Sequence, residues 1–429
     1  MHAYLYNARS AVVTHRPLPE LHPDFADESY ARRDAAFARR SQTADFSPRW
    51  PYSRLEFWKQ FRFPRRVPKR KLALLLPGHN EELIIADTIR SAVAAGQDKR
   101  DIFVVDDNSS DDTRCLAVGE LGESHVLTVE RSGKALAIQK AVAHFNIPRD
   151  YEWVHVADAD SVFSKNYFPI YRSKLDPKKY AVAVSFIQSM RGNWIATYRS
   201  LTYTYGQHVN RRVQSWLGMI SVFPGPLTAF RTDILDKLEF DDGTIAEDFS
   251  VTLQFYRKKL GRVAFIPGAI SYTQDPQTLR DFIKQTQRWQ RGFFQGVKTY
   301  NIGIRPQRID ISLGYQMLQT IVFLVQVTFM LPLIIFVTHN WLSIPVAIAA
   351  DFVLNSFIAI GSSVVAKRWY LLGAMPYFYF LHWVEIVIYI RAFFEIMVLG
   401  KFKTKVVGWS TEGRRYKLNS LALQGTATK

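Results

Sequence analysis

The chain has 429 residues, a hydrophobic share of 48% and a formal net charge of +17 at pH 7, enough for one large domain with accessory elements. The positive charge lies at the two ends, where Lys and Arg outnumber Asp and Glu by 15 to 7 in residues 1–71 and by 7 to 1 from residue 401 onward. A single cysteine, Cys115, excludes an internal disulfide and a cysteine-rich metal site.

Residues 1–70 are predicted to form a basic N-terminal extension that contacts a membrane surface. Its last part, LEFWKQFRFPRRVPKRK, mixes aromatic and basic side chains, a composition that suits an anionic leaflet. A basic linker covering the back of the next domain explains the same pattern equally well. The first 15 residues lack a charged start followed by a long hydrophobic core, so we expect no signal peptide and a cytosolic N-terminus.

Residues 71–275 are predicted to form an α/β catalytic domain. Apolar runs at residues 71–77, 102–105 and 153–157 are bounded by turn residues. They match the buried strands of a doubly wound, Rossmann-like sheet with helices between them. Ligands of such sheets bind at the carboxyl ends of the strands. Each of these runs is followed by a polar motif, so one edge of the sheet is the expected site.

The motifs after the first two strands supply candidate nucleotide contacts. Pro77, Asn80 and Glu81 stand at the end of the first strand, Asp107 follows the second, and Lys134 lies in the segment RSGKA. Each has an ordinary alternative: Asn80 and the acidic turn after the second strand also suit helix caps, and a lysine is commonly solvated.

Asp158 and Asp160 follow the third strand on alternate sides of an extended segment. Asp160 can therefore reach a cation while Asp158 faces a nucleotide, and hard carboxylate oxygens suit Mg²⁺ or Mn²⁺. Glu247 and Asp248 precede a helical stretch, where Asp248 is the candidate general base and Glu247 its support. The alternative for this pair is acidic complementation of a helix dipole.

Residues 276–310 are predicted to form amphipathic interface helices. Gln285, Arg288 and Trp289 lie at i, i+3 and i+4 on one helix face. That face can present a guanidinium to phosphate oxygens and an indole to a substrate ring. An ordinary amphipathic helix has the same spacing.

Residues 311–400 are predicted to form membrane helices. Residues 311–338 carry no formal charge and exceed the roughly 20 residues that a hydrocarbon core requires. A second span at 341–366 ends at Lys367 and Arg368, which places that end inside. Residues 369–400 are interrupted by polar and charged side chains, so they are expected to be re-entrant or spanning. Residues 401–429 then form a basic cytosolic tail that contains the motif WSTEGR.

In this order, the motifs resemble those of the processive family 2 glycosyltransferases of the GT-A fold. These include hyaluronan, chitin, cellulose and poly-N-acetylglucosamine synthases. The resemblance covers residues 72–416. It implies an α/β GT-A cytosolic catalytic domain followed by C-terminal transmembrane and interfacial helices. AEDFS and DPQTL are similar to poly-N-acetylglucosamine synthases, whereas GPL and WSTEGR are similar to hyaluronan synthases.

The resemblance also implies roles for individual residues. Asp248 and Glu247 are implied to be catalytic, Asp160 to bind the metal, and Gly225, Pro226, Leu227 and Trp289 to bind the acceptor. The implied nucleotide-binding residues are Pro77, Asn80, Glu81, Asp107, Lys134, Asp158, Gln285, Arg288, Trp289, Trp409 and Arg414. Membrane helices before the catalytic domain are usual in these synthases, so here an amphipathic contact or a partner subunit would replace them.

We therefore expect a membrane-integrated, inverting transferase in the cell membrane with a cytoplasmic catalytic domain. It would use a UDP-sugar and Mg²⁺ or Mn²⁺ to extend a β-linked glycan, and couple extension to export. The first alternative is the addition of a single sugar to a lipid acceptor, ceramide or polyprenyl phosphate. The second is a basic, membrane-attached protein that binds nucleic acid, for which the sequence offers no recognisable module.

Overall fold

A mixed sheet organises the part of the chain that the computed structural model describes, which is residues 69–401 without 226, 241–243, 304–306, 326–328 and 330. The sheet has eight strands in the order β3-β2-β1-β4-β7-β6-β8-β5. The strands are β1 (Arg70–Gly78), β2 (Ile102–Asp106), β3 (Val126–Thr128), β4 (Tyr151–Val156), β5 (Val162–Phe163), β6 (Val182–Ser189), β7 (Thr228–Arg231) and β8 (Val263–Thr273).

Helices follow most of the strands and continue beyond the sheet. They are α1 (Ile85–Ala94), α2 (Thr113–Leu121), α3 (Lys134–His144), α4 (Ile147–Asp150), α5 (Tyr167–Lys174), α6 (Trp194–Tyr205), α7 (Arg211–Trp216), α8 (Glu247–Arg257), α9 (Leu279–Thr299), α10 (Arg308–Val325), α11 (Leu331–Thr338), α12 (Ser343–Ala366) and α13 (Met375–Phe393). The α/β prediction is confirmed.

Both faces of the sheet are covered, which explains the continuous apolar runs in the sequence. Along β1, Leu72, Leu74 and Leu76 pack into one hydrophobic cluster, and Ala73 and Leu75 pack into a second. Alternate residues of a strand point to opposite faces, so a strand buried on both faces has no polar position.

Strand direction places the expected site. β1, β2, β3 and β4 are parallel to one another, so their carboxyl ends share one edge. β7 runs antiparallel to both β4 and β6, with Thr228 opposite Val156. β6 is therefore parallel to β4, and β8 pairs in parallel with β6. The reversed β7 was not expected from the sequence pattern.

The membrane helices expected in residues 311–400 are not confirmed. Among the described residues, no helix combines the length and apolar content needed to cross a bilayer. The uncharged stretch 311–338 is divided between α10, which starts with Arg308 and Asp310, and the eight-residue α11. Further along, the 3-10 turn Trp369–Ala374 separates α12 from α13. The N-terminal extension and the basic tail lie outside the described residues.

Candidate active site

Four of the sequence motifs meet around the ammonium group of Lys134. Its Nζ forms an ion pair with Asp158 and lies 3.8 Å from Glu247 Oε1. A methyl group added at Gly225 would lie 3.1 Å from the same Nζ and 3.7 Å from Asp248 Oδ2. Burial lowers the pKa of Lys134, but Asp158 and Glu247 outweigh it and hold that pKa above its ordinary value. The lysine is therefore charged, and it neutralises a cluster of carboxylates.

Asp107 fixes the loop that delivers Lys134. Its carboxylate is fully buried and accepts hydrogen bonds from the backbone N–H groups of Ser132 at 2.8 Å and Gly133 at 3.0 Å. The Arg131 guanidinium donates to it at 3.1 Å. Gly133 has a φ of +86°, a conformation that favours glycine, and α3 begins at the next residue. The structure thus assigns Asp107 a positioning role, and its contact with a nucleotide stays a prediction.

The motif after β1 is joined to the turn after β2. Asn80 has a φ of +56°, its backbone N–H donates to Ser109 Oγ at 2.9 Å, and its side-chain oxygen accepts from Ser110 N at 2.8 Å. Glu81 N donates to Thr113 Oγ1 at 2.7 Å. Asn80 does not cap α1, whose N-cap is Ile84. Its role is to hold the ends of β1 and β2 together, at the edge where Pro77 is the second-last residue of β1.

Asp158 and Asp160 belong to one tight turn after β4. Ser161 N donates to Asp158 O at 3.0 Å, and Thr88 Oγ1 donates to Ala159 O at 2.6 Å, which ties the turn to α1. Asp160 is 3% exposed, whereas the Asp158 side chain is 19% exposed and faces Lys134. The two carboxylates therefore have different environments, but they lie in a turn and not in the extended segment that the sequence analysis expected.

The donor set around this turn suits a cation that arrives with a phosphate. Within the described ranges, no group of three or more His, Cys, Asp or Glu side chains could hold a metal ion unaided. Mg²⁺ commonly keeps several waters and is bound by one or two carboxylates together with substrate phosphates. Asp160 fits that mode, because it supplies one hard oxygen ligand two residues after Asp158, which pairs with Lys134.

Asp248 has the protonation behaviour of a general base. Its Oδ1 accepts from Phe249 N at 2.8 Å, and its Oδ2 accepts from Gly225 N at 3.4 Å. Burial, assisted by the neighbouring charge of Glu247, raises the pKa of Asp248 to about 6, against an opposing effect of Lys134. A base is most effective when its pKa lies near the operating pH. This carboxylate can therefore accept a proton at neutral pH.

Two glycines bring α9 against these carboxylates. A methyl group at Gly292 would lie 2.3 Å from Ala246 Cβ, and one at Gly296 would lie 2.6 Å from the Phe249 ring. Because the glycines are four residues apart, they face the start of α8 together. Arg288 is exposed, and its positive charge lowers the pKa of Asp248. The QxxRW helix thus contributes a cation to the same site.

Some predicted residues lie elsewhere or are not described. Leu227 is 1% exposed and belongs to the hydrophobic core, so its side chain packs beneath the segment that was expected to bind the acceptor. Pro226, Trp409 and Arg414 lie outside the described residues. The sequence reasoning missed the glycines of α9, although RWQRGFFQG contains the small residues at the spacing that close helix packing uses. It also missed Arg199 of α6, whose guanidinium lies over the Trp289 ring at 4.8 Å.

Comparison with known proteins gives one matching family and two similar relatives. The model of the family described as Glycosyl transferase family group 2 matches residues 153–393. The probable glycosyltransferase YdaM of Bacillus subtilis is 30% identical over 256 residues, covering 54% of this chain and 59% of that protein. Poly-beta-1,6-N-acetyl-D-glucosamine synthase of Staphylococcus aureus is 26% identical over 242 residues, covering 53% and 58%. The chain therefore spans less than two thirds of the length of both relatives.

A solved structure is similar over most of the chain. It is a mannosyltransferase from Pyrobaculum calidifontis in complex with GDP-Man and Mn²⁺, with 18% identity and a TM-score of 0.47. The match covers 86% of this chain and 96% of that one.

Proposed function

Because the chain belongs to glycosyl transferase family group 2, we propose that it is an inverting transferase that uses a UDP-sugar to extend a β-linked glycan. The observation that carries the proposal is the convergence of Asp248, whose pKa is raised to about 6, with Lys134, Asp158 and Gly225. This convergence supports a base and a cation at one edge of the sheet.

The proposed reaction assigns each group one task. Asp248 takes the proton of an acceptor hydroxyl while that oxygen attacks the anomeric carbon of the donor from the face opposite UDP. The bond from the anomeric carbon to the diphosphate breaks, and its electrons leave with UDP. Lys134 and Arg288 stabilise the departing negative charge by their positive charge. A divalent cation held at Asp160 would offset further charge on the diphosphate.

The acceptor is proposed to be a growing glycan because one matched relative is a poly-beta-1,6-N-acetyl-D-glucosamine synthase. A lipid acceptor is the second candidate. It is favoured by the large apolar side chains that residues 308–393 expose, among them Phe336 of α11 at 76%, Trp341 between α11 and α12 at 72%, and Phe357 of α12 at 69%. The same surface supports a location at the cytoplasmic face of the cell membrane, where apolar side chains would be covered by lipid.

The test is transfer from a panel of radiolabelled UDP-sugars by the purified chain in detergent, with Mn²⁺ or with excess chelator. We expect labelled product with Mn²⁺ and none with chelator. Asp248→Asn should lose more than about 1000-fold in turnover, the scale of a missing general base, while UDP affinity stays within about twofold because the base does not bind the nucleotide. Asp233→Asn, at an exposed carboxylate paired with Arg231, is the matched control.

Two outcomes would contradict the proposal. Unchanged turnover of Asp248→Asn would remove its role as the base, and full activity in chelator would remove the cation. The size of the product separates the acceptors, since a ladder of oligosaccharides supports a glycan and one sugar on an extractable lipid supports the alternative.

A further inference from the structure

We propose that Arg199 is a positioning residue for Trp289, and that Glu385 of α13 holds Arg199 in place for this purpose. The inference rests on the proposed function, together with the acceptor-binding role that the family resemblance implies for Trp289. It gives α6, which carries Arg199, and α13, which carries Glu385, an indirect role in acceptor binding.

The Arg199 side chain is enclosed between two aromatic rings of α9. It is 4% exposed, and its Cζ lies 4.3 Å from the centre of the Phe282 ring and 4.8 Å from that of Trp289. Its NH2 group donates to Thr286 Oγ1 at 2.6 Å. Phe282, Thr286 and Trp289 are at i, i+4 and i+7, so they form one face of α9. The Arg199 guanidinium therefore contacts all three of these side chains.

Glu385 fixes the other side of the guanidinium. Its Oε1 accepts from Arg199 NH1 at 3.0 Å, and its Oε2 accepts from Tyr198 OH at 2.8 Å. Burial, together with the charge of Glu385, raises the pKa of Tyr198 well above its ordinary value, so the phenol stays protonated and donates. Both carboxylate oxygens of Glu385 thus accept hydrogen bonds from two consecutive residues of α6, Tyr198 and Arg199.

Contact with the two aromatic rings accounts for the position of the Arg199 guanidinium. Its Nε is enclosed and has no hydrogen-bond partner among the described residues, although an enclosed donor left unpaired is unfavourable. The side chain thus keeps its contact with both rings although one of its hydrogen-bond donors stays unpaired. A lysine cannot reproduce this arrangement, because its ammonium has neither a plane nor a fork of donors. The stack predicts that the indole of Trp289 moves when the guanidinium is removed.

The first experiment reads the position of the indole without any turnover. The full chain is labelled with 5-fluorotryptophan, and the fluorine resonance of Trp289 is identified by its loss in Trp289→Phe. We expect this resonance to shift and broaden in Arg199→Met and in Arg199→Lys. It should stay unchanged in Arg291→Gln, which breaks another contact of α9 with the C-terminal helices, the ion pair of Arg291 with Glu395 at 2.7 Å. An unchanged Trp289 resonance in both Arg199 variants overturns the inference.

A second variant guards against a folding defect, because Arg199→Met leaves the Glu385 carboxylate without its cation. Arg199→Met/Glu385→Met removes both charges together, and thermal unfolding followed by circular dichroism checks that it folds. The same shift of the Trp289 resonance is expected. If this folded variant keeps the wild-type resonance, Arg199 does not position the indole.

The second experiment reads acceptor use, with UDP-N-acetylglucosamine as donor and a β-1,6-linked N-acetylglucosamine tetrasaccharide as acceptor. We expect the acceptor KM of Arg199→Met to rise at least tenfold, with UDP affinity within twofold, and Arg291→Gln to match the wild type. An unchanged acceptor KM overturns the link to acceptor use. If the wild-type chain transfers no sugar from any UDP-sugar to any acceptor, the proposed function fails, while the fluorine experiment still decides the position of Trp289.

Discussion

Lys134 is the cation that acts most strongly on the pKa of Asp248, the candidate base. It lowers the pKa of Asp248, against burial and Glu247, which raise it. A base must be deprotonated to act, so kcat/KM falls as the pH drops below the pKa of that base. With Lys134 present, this acid limb is expected near pH 6.

We predict that Lys134→Gln moves the acid limb to higher pH, because burial and the charge of Glu247, which raise the pKa of Asp248, are then opposed only by Arg288 and the Phe249 N–H group. Donor affinity should also fall, since a cation facing the diphosphate is lost. The measurement is kcat/KM for transfer between pH 5 and pH 9. Lys140→Gln, on the same helix and bonded to Ser132 Oγ at 3.3 Å, should keep the wild-type profile. An acid limb that stays in place would contradict the electrostatic role of Lys134.

For single residues, the sequence predicted which side chains belong to the candidate site but not which of them contact one another. Asp158, Glu247 and Asp248 were named because carboxylates follow strands or precede a helix, and the structure brings them to Lys134. The contacts of Asp107 with Ser132 and Gly133 could not be predicted, since a loop 25 residues away in the chain folds back to supply the donors.

Among the elements, α9 is the one whose placement decides whether QxxRW reaches the site. Its approach to α8 depends on Gly292, where any side chain meets Ala246. The spacing of hydrophobic and polar residues predicted the helix and its face. It could not predict that α9 packs against α8, because a glycine within a helix does not indicate which surface it contacts.

We predict that Gly292→Ala destabilises the protein by about 1–2 kcal/mol: overpacking costs about 1–3 kcal/mol, and the better helix propensity of alanine offsets up to about 1 kcal/mol. The rate of sugar transfer should fall by more than the loss of stability alone explains. The added methyl group pushes α9, and with it Arg288, away from Asp248. Urea unfolding and turnover measure the two effects. In Gly119→Ala of α2, where nothing lies within 4 Å of the added methyl group, stability should rise by about 0.5–1 kcal/mol. Equal behaviour of the two variants would refute the close packing.

For the whole molecule, the prediction of family 2 and of an α/β fold is confirmed. It succeeded because buried strands and the motifs after them are local signals. The direction of β7 is not a local signal, because its four residues do not indicate which strands lie on either side. The membrane helices were inferred from the absence of charge in the sequence, and the described helices do not include one that could cross a bilayer.

The exposed apolar side chains and the basic ends predict binding to lipid vesicles. Vesicles containing 30% anionic lipid should bind the chain more strongly than neutral ones, and salt should weaken the difference because it screens charge. Some binding should survive in 0.5 M salt, since burial of each large apolar side chain contributes about 1.5–3 kcal/mol that is not screened. Phe336→Ser/Trp341→Ser should reduce this remainder in a flotation assay. No binding to either kind of vesicle would refute the membrane location.

The reversal of β7 divides the chain around it into two regions with different freedom to vary. Because Thr228 lies opposite Val156, the segment that enters β7 opens onto the edge that holds Asp158, and its length and shape are restricted by the side chains of the candidate site. The segment Thr232–Lys237 leaves β7 at the far edge, where packing alone restricts it. Insertions during divergence, or a reporter introduced by design, would be tolerated after β7 and not before it.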